Sequence, residues 1–179
     1  YEKGWIYRAE RVINWCPKDQ TSLSDLELEY KEVEATLYYI RYPLARKPTT
    51  NNQQPTTYIV VATTRPETML GDAAVAVNPK DERYKKLEGK TAISPIFGKE
   101  IKIKSNSLAD PEKGTGIVMM CSAGDLSDIQ FFREQNLIPK IAIEKDGKMN
   151  SISGDLQGLK VKEARQKIIE ALKEKNLLQ

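Results

Sequence analysis

Short apolar runs separated by polar punctuation, rather than long helical stripes, set the pattern of this 179-residue chain. Alternation toward the end of 4–17 (GWIYRAERVINWCP) predicts a strand stopped by Pro17. The stretch 26–44 alternates over Leu28 and Tyr30 and again over Leu37 to Ile40, which predicts two strands, each with one wet face. YIVVA (58–62) and IVMMCSA (117–123) are continuously apolar and predict buried strands, while AAVAV (73–77) and IPKIAI (138–143) predict two more. TAISPIFGKEIKIKS (91–105) predicts a hairpin turning at Phe97-Gly98-Lys99. Helices are predicted at Pro66, with Thr64 or Arg65 near its cap, over 78–90 ending at Gly89, and over 125–136 with two acids in the first turn. A fourth, over 161–178, is amphipathic, with Ala164, Ile168, Ala171 and Leu172 on one stripe. DPEKGTG (110–116) predicts a turn, and the proline-punctuated polar segment 45–57 an exposed loop of low order. Many short strands with few helices predict an α+β fold, with a compact β-barrel-like core and peripheral helices.

Composition narrows the chemistry more than the partners. The balance of 28 Lys+Arg against 25 Asp+Glu is ordinary and allows nucleic acid without requiring it. No apolar run approaches the roughly 20 residues of a membrane span. Without a secretory signal, a chain beginning at Tyr1 is expected to be a cytoplasmic fragment of a longer protein. Cys16 and Cys121 are expected to be free thiols. WCPKDQ (15–20) hints at a zinc knuckle, but Asp19 stands where a second thiolate is needed, so no metal site and no cofactor are expected. The chain has no histidine, which excludes Ser-His-Asp and Cys-His nucleophile systems and histidine metal ligation. Chemistry must run on carboxylates, hydroxyls, backbone amides, Lys, Arg, water or the substrate itself.

Two stretches carry that kind of chemistry. One is Thr63-Thr64-Arg65-Pro66-Glu67-Thr68, leaving the end of an apolar strand. The other is GTGIVMMCSAGDLSD (114–128), where a strand opens into a helix bearing Asp125 and Asp128 one turn apart on one face. Each has a plain structural explanation, since acids at a helix N-terminus cap free amides and suit the macrodipole. Likewise Thr64 could be a cap and Arg65 a solvated charge.

Together, however, ATTRPETMLGDAAVAVNPKDERYKKLEGK and GTGIVMMCSAGDLSD closely resemble the editing domain of the valyl-tRNA synthetases, connective polypeptide 1 of the class I enzymes for valine, isoleucine and leucine. VINWCPKDQTSLSDLELEY resembles the segment entering that insertion, where many relatives carry a Cys-Pro-x-Cys zinc pair. The resemblance covers about 1–178 and implies a single editing domain over 1–179. It would comprise entry strands (1–44), the flexible loop (45–57), a pocket-bearing core (58–160) and a C-terminal helix (161–178). It implies that Thr63, Thr64, Arg65 and Thr68 wall a pocket for the mischarged amino acid and the terminal adenosine of tRNA. Asp72 matches a further position associated with editing, Asp128 the acid that holds the substrate α-ammonium, and Asp125 an acid near its side chain. Val118, Met119 and Cys121 fall on the strand opposite. Many bacterial members have Lys at Met119, Thr at Cys121 and His at Gly124, so this chain looks more like the archaeal branch.

Such residues suit hydrolysis of an aminoacyl ester. Valine and threonine are near-isosteric, and an apolar synthetic pocket separates them by only about 10², the known figure for valine enzymes. A second, polar site can read the extra hydroxyl. The expected reaction is water attack on threonyl-tRNA(Val), with Asp128 anchoring, and Asp125 or Thr64 orienting water or reading the side chain. The expected partners are that tRNA end and the rest of a synthetase, with the domain alone a monomer. No aminoacylation, ATP or magnesium is implied. Lys99, Lys102, Lys104, Arg41 and Arg46 could touch phosphates, or simply be solvated. The alternatives are editing of the leucyl or isoleucyl type, a free-standing deacylase, and a non-catalytic barrel that only binds tRNA ends or amino acids.

Overall fold

The computed structural model describes residues 1–6, 12–45, 57–122 and 125–179. Among the described residues, eight strands and two α-helices make an α+β fold. The strands are β1 (Asn14–Cys16), β2 (Thr21–Leu23), β3 (Tyr38–Pro43), β4 (Tyr58–Thr63), β5 (Asp72–Val77), β6 (Thr91–Ile93), β7 (Glu100–Ser105) and β8 (Ile117–Cys121). The helices are α1 (Leu126–Glu134) and α2 (Val161–Glu174). Strands β1 and β2 form one hairpin and β3 and β4 an antiparallel pair, while the third sheet runs β6-β7-β5-β8 with β5 and β7 parallel.

Strand β5 lies inside that sheet and is buried on both faces, as a continuous apolar run predicts. Val75 and Val77 enter the main core with Ile40, Tyr42, Val61, Ile103 and Met119. Ala74 and Ala76 point the other way, where their small side chains let Phe131 and Phe132 of α1 approach. Helix α2 closes the main core with Ala164, Ile168 and Leu172. Its amphipathic stripe is as the spacing predicts, and the helix proper ends at Glu174.

The expected barrel is not closed by hydrogen bonds. The β3–β4 pair meets the larger sheet on one side through the Leu44–Ala92 bridge and a 2.8 Å bond from the Ala45 N–H to the Thr91 carbonyl. On the other side no ladder among the described residues joins β4 to β8. A side-chain tie takes its place, the Thr115 hydroxyl donating to the Val60 carbonyl at 2.7 Å.

Three expected elements differ. The strand around Leu28 and Tyr30 is absent: this segment pairs with no described strand, and Leu26, Tyr30 and Val33 stand exposed. Residues 78–90 form turns with one 3₁₀ turn, Lys85–Leu87, instead of an α-helix. There Asn78 accepts from the Lys80 N–H and Asp81 from the Arg83 N–H, so side chains capture the amides a helix would use. The 138–143 strand shrinks to an Ile143–Met149 bridge, and Pro139 within it supplies no ladder donor. The 91–105 hairpin forms as expected, with β6 antiparallel to β7. Most of the polar 45–57 loop, and Arg46 with it, lies outside the described residues.

Candidate functional site

Strand β4 ends at Thr63, and the chain turns because the Thr63 hydroxyl accepts from the Arg65 N–H at 3.0 Å. Pro66 then opens a six-residue 3₁₀ segment, Pro66–Gly71, whose first position suits a residue with no N–H. Arg65 takes the cap position, as the sequence leads one to expect, though without a side-chain cap bond. Within the turn the Thr68 hydroxyl donates to the Arg65 carbonyl at 2.8 Å. Cys121, at the end of β8, donates its thiol to the Thr68 hydroxyl at 3.3 Å, tying the two strand ends together.

Beyond β8, helix α1 begins with reciprocal acid capping. Asp125 Oδ1 accepts from the Asp128 N–H at 3.0 Å, and Asp128 Oδ2 accepts from the Asp125 N–H at 3.2 Å. Asp128 Oδ1 also accepts from the Cys121 N–H at 2.9 Å, so one buried carboxylate joins the strand end to the helix start. Burial pushes the Asp125 carboxyl up, but the Ser127 hydroxyl at 2.6 Å and the Asp128 and Ser127 amides outweigh it, leaving Asp125 below the usual carboxylate range. Burial pushes the Cys121 thiol well up, which keeps it protonated and unsuited to nucleophilic attack.

These pieces enclose a cavity of about 370 Å³ between the unpaired edges of β4 and β8. Thr63, Thr64, Arg65, Thr68, Val118, Met119, Cys121, Asp125 and Asp128 all line it, so nine of the ten residues singled out from sequence meet in one place. The tenth, Asp72, does not line the cavity. It sits fully buried behind the wall as the ladder partner of Cys121, where its Oδ2 accepts from the Tyr42 hydroxyl at 2.8 Å. Its Oδ1 has no hydrogen-bond partner among the described residues. Burial raises the Asp72 carboxyl to about 8, against the opposing pull of Tyr42, Lys99 and Ser94.

The sequence reading missed part of the wall. Leu37, Leu108, Asp110, Lys113, Gly114 and Ser127 also line the cavity. The 110–116 turn is legible as a turn, but nothing local shows that it folds over the mouth. Gly114 allows the close approach: its φ is +60°, and a Cβ there would lie 2.9 Å from the Ala62 Cβ. Of the expected phosphate contacts, the described ones, Lys99, Lys102, Lys104 and Arg41, do not line the cavity. Lys99 donates to the Asp72 carbonyl, Lys102 to Thr91 at 2.8 Å and Lys104 to Gln135 at 2.7 Å. Among the described residues, Arg65 and Lys113 are the cations on its wall.

The two thiols are free, Cys16 half-buried and Cys121 buried. Cys16 donates its thiol to Asp19 at 3.0 Å, the residue standing in for a second cysteine. Among the described residues, no group of three His, Cys, Asp or Glu is arranged to hold a metal ion, and no helix is long and apolar enough to cross a membrane.

The sequence matches the family model of class I tRNA synthetases (I, L, M and V) over residues 1–174. The valine–tRNA ligase of Aeropyrum pernix is 44% identical over 178 residues, covering 99% of this chain and 21% of that protein. That of Thermotoga maritima is 46% identical over 179 residues, covering 99% and 20%. The chain thus spans about a fifth of the length of the relatives it matches. A solved structure described as "The crystal structure of GlLeuRS-CP1" superposes with a TM-score of 0.63 at 17% identity, over 80% of this chain and 98% of that one, a likeness of fold.

Proposed function

The chain belongs to the class I tRNA synthetase family, and from that premise we propose that it is the editing domain of a valine enzyme, hydrolysing the ester of threonyl-tRNA(Val). One observation carries the reading: the threonine peptide and the paired acids, more than fifty residues apart in sequence, line the same cavity. Identity of 44–46% to valine ligases favours valine over the leucine and isoleucine types. The whole of 1–179 then acts as one editing unit, a barrel left open between β4 and β8 where the substrate enters. It works in the cytoplasm, as a monomer when separated from the rest of the synthetase.

In this mechanism the threonyl group enters between the two strand edges. Asp128, held in place by the Cys121 and Asp125 N–H groups, takes the α-ammonium. Asp125, kept ionised, and Thr64 orient water or read the threonine hydroxyl. Water adds to the ester carbonyl, the ester C–O bond breaks, and the departing ribose oxygen takes up a proton. The ester is activated, so positioning supplies much of the acceleration. No covalent nucleophile is needed, and the protonated Cys121 offers none. Arg65 and Lys113 at the wall suit the negative charge of the RNA end.

The test is release of threonine from threonyl-tRNA(Val), compared with valyl-tRNA(Val). Threonine release should exceed the spontaneous rate and fall by about 10² in Asp128→Ala, the scale of a lost positioning contact. Affinity for the tRNA end without turnover would instead establish a binding module.

A further inference from the structure

The segment 78–84 (NPKDERY) is rich in polar side chains that the proposed chemistry leaves without a role. It forms turns where a helix is expected, and three of its side chains donate to the main chain of one other stretch. Asn78 Nδ2 donates to the Ala109 carbonyl at 2.7 Å, and Arg83 Nη2 to the Pro111 carbonyl at 2.9 Å. The Tyr84 hydroxyl donates to the Thr115 carbonyl at 2.8 Å. Interleaved with those three held residues are Leu108, Asp110, Lys113 and Gly114, which line the cavity. The holding segment is itself fixed. Asp81, 7% exposed, grips the Arg83 guanidinium with both oxygens, Oδ1 to Nε at 2.9 Å and Oδ2 to Nη2 at 2.7 Å. Such a fork sets the plane of the guanidinium as well as its place. Gly116 lies close against it: its φ is +80°, and a Cβ there would fall 2.7 Å from Arg83 Nη2.

The other walls of the cavity are secured differently. The two acids bond each other and the Cys121 N–H, and the threonine turn is closed by Thr63 and Thr68, through bonds that do not involve 78–84. We propose that Asn78, Arg83 and Tyr84 are positioning residues of the editing site: acting through Lys113, they set the 108–114 wall where the anionic RNA end enters. Fixing a loop costs conformational entropy, and three donors on a rigid segment meet that cost before the substrate arrives. Released from them, the turn would have to be ordered by the RNA end itself. Affinity would fall, while Asp125, Asp128 and the threonine hydroxyls stayed in place.

This inference rests on the proposed editing function, so its test has one readout that does not depend on turnover. Tyr84→Phe removes a single donor atom, and Arg83→Lys keeps the charge without the fork. In each, amide hydrogen exchange at Lys113, Gly116 and Ile117, whose N–H groups bond within the turn, should quicken about tenfold. The Cys121 and Asp128 amides, bonded to the two acids, should keep their native rates. The KM for threonyl-tRNA(Val) should rise about three- to tenfold with kcat nearly unchanged, the mark of a loosened binding contact. Bonds that only stabilised the fold would instead lower the active fraction, and so kcat, with KM unchanged. Adding Lys113→Ala to either variant should raise KM no further than Lys113→Ala alone, because the three residues act through that side chain. Native exchange in the turn of both variants, faster exchange with native KM, or additive KM effects each overturn the proposal. Absence of threonine release by the native chain, with the exchange pattern as expected, refutes the editing function and leaves the mounting of the 108–114 wall standing.

Discussion

Replacing Asp72 with asparagine should make the protein progressively more stable relative to the native chain as pH rises from 5 to 8. The Asp72 carboxyl is fully buried and pushed from its ordinary 3.8 to about 8. Between those values the folded state keeps a proton that the unfolded chain has released, so raising the pH favours unfolding. The cost is absent below pH 3.8 and complete above about 8. That interval spans about four pH units, and each is worth about 1.36 kcal/mol, which sets a ceiling of about 5–6 kcal/mol. From pH 5 to 8 the ceiling is about 4 kcal/mol, and relaxation around the carboxylate reduces this, so a growth of about 2–4 kcal/mol is expected. Asparagine has nearly the same shape, can accept from the Tyr42 hydroxyl and does not titrate. Urea unfolding followed by circular dichroism at pH 5, 6, 7 and 8 gives the difference directly. A difference between variant and native chain that stays constant with pH within about 0.5 kcal/mol would show that Asp72 is ionised when folded, and the reasoning would fail.

Three further outcomes follow from the same core. Tyr42→Phe removes the 2.8 Å bond to Asp72 and should cost about 1–3 kcal/mol, while an NMR titration of the Asp72 carboxyl carbon should show its midpoint moving higher still. Gly114→Ala forces a side chain into the left-handed region against Ala62; it should lose about 1–2 kcal/mol in urea unfolding and lower threonine release by narrowing the mouth. Phe131→Ala empties the space between α1 and the alanine face of β5, with an expected loss of about 3–5 kcal/mol by thermal or urea unfolding.

Strands buried within one sheet were legible because their apolar runs are continuous, as in 73–77 and 117–121. The amphipathic stripe of α2 was equally readable. What failed were segments whose fate depends on neighbours. The segment around Leu28 and Tyr30 has strand-like alternation but joins no described strand, and 78–90 have helix-forming residues whose backbone is claimed by Asn78 and Asp81. The site followed the same division. Thr63 to Thr68 and the two acids carried a recognisable signature, whereas Leu37, Asp110 and Lys113 reach the cavity only through loop trajectories that local sequence does not encode. Asp72 was misplaced by one layer: its proximity in sequence to the threonine peptide hid the fact that the ladder with Cys121 turns it away from solvent.

The opening between β4 and β8 has an evolutionary consequence. A cleft bordered by two strand edges offers main-chain groups to whatever enters it, and main chain is common to every sequence that keeps the same pairing. Individual wall residues such as Met119 and Cys121 can therefore drift between lineages while that lining persists. A one-residue slip of β8 against β5, by contrast, would exchange every inward side chain at once, so inheritance must guard the alignment of the strands more strictly than the identity of any one wall residue.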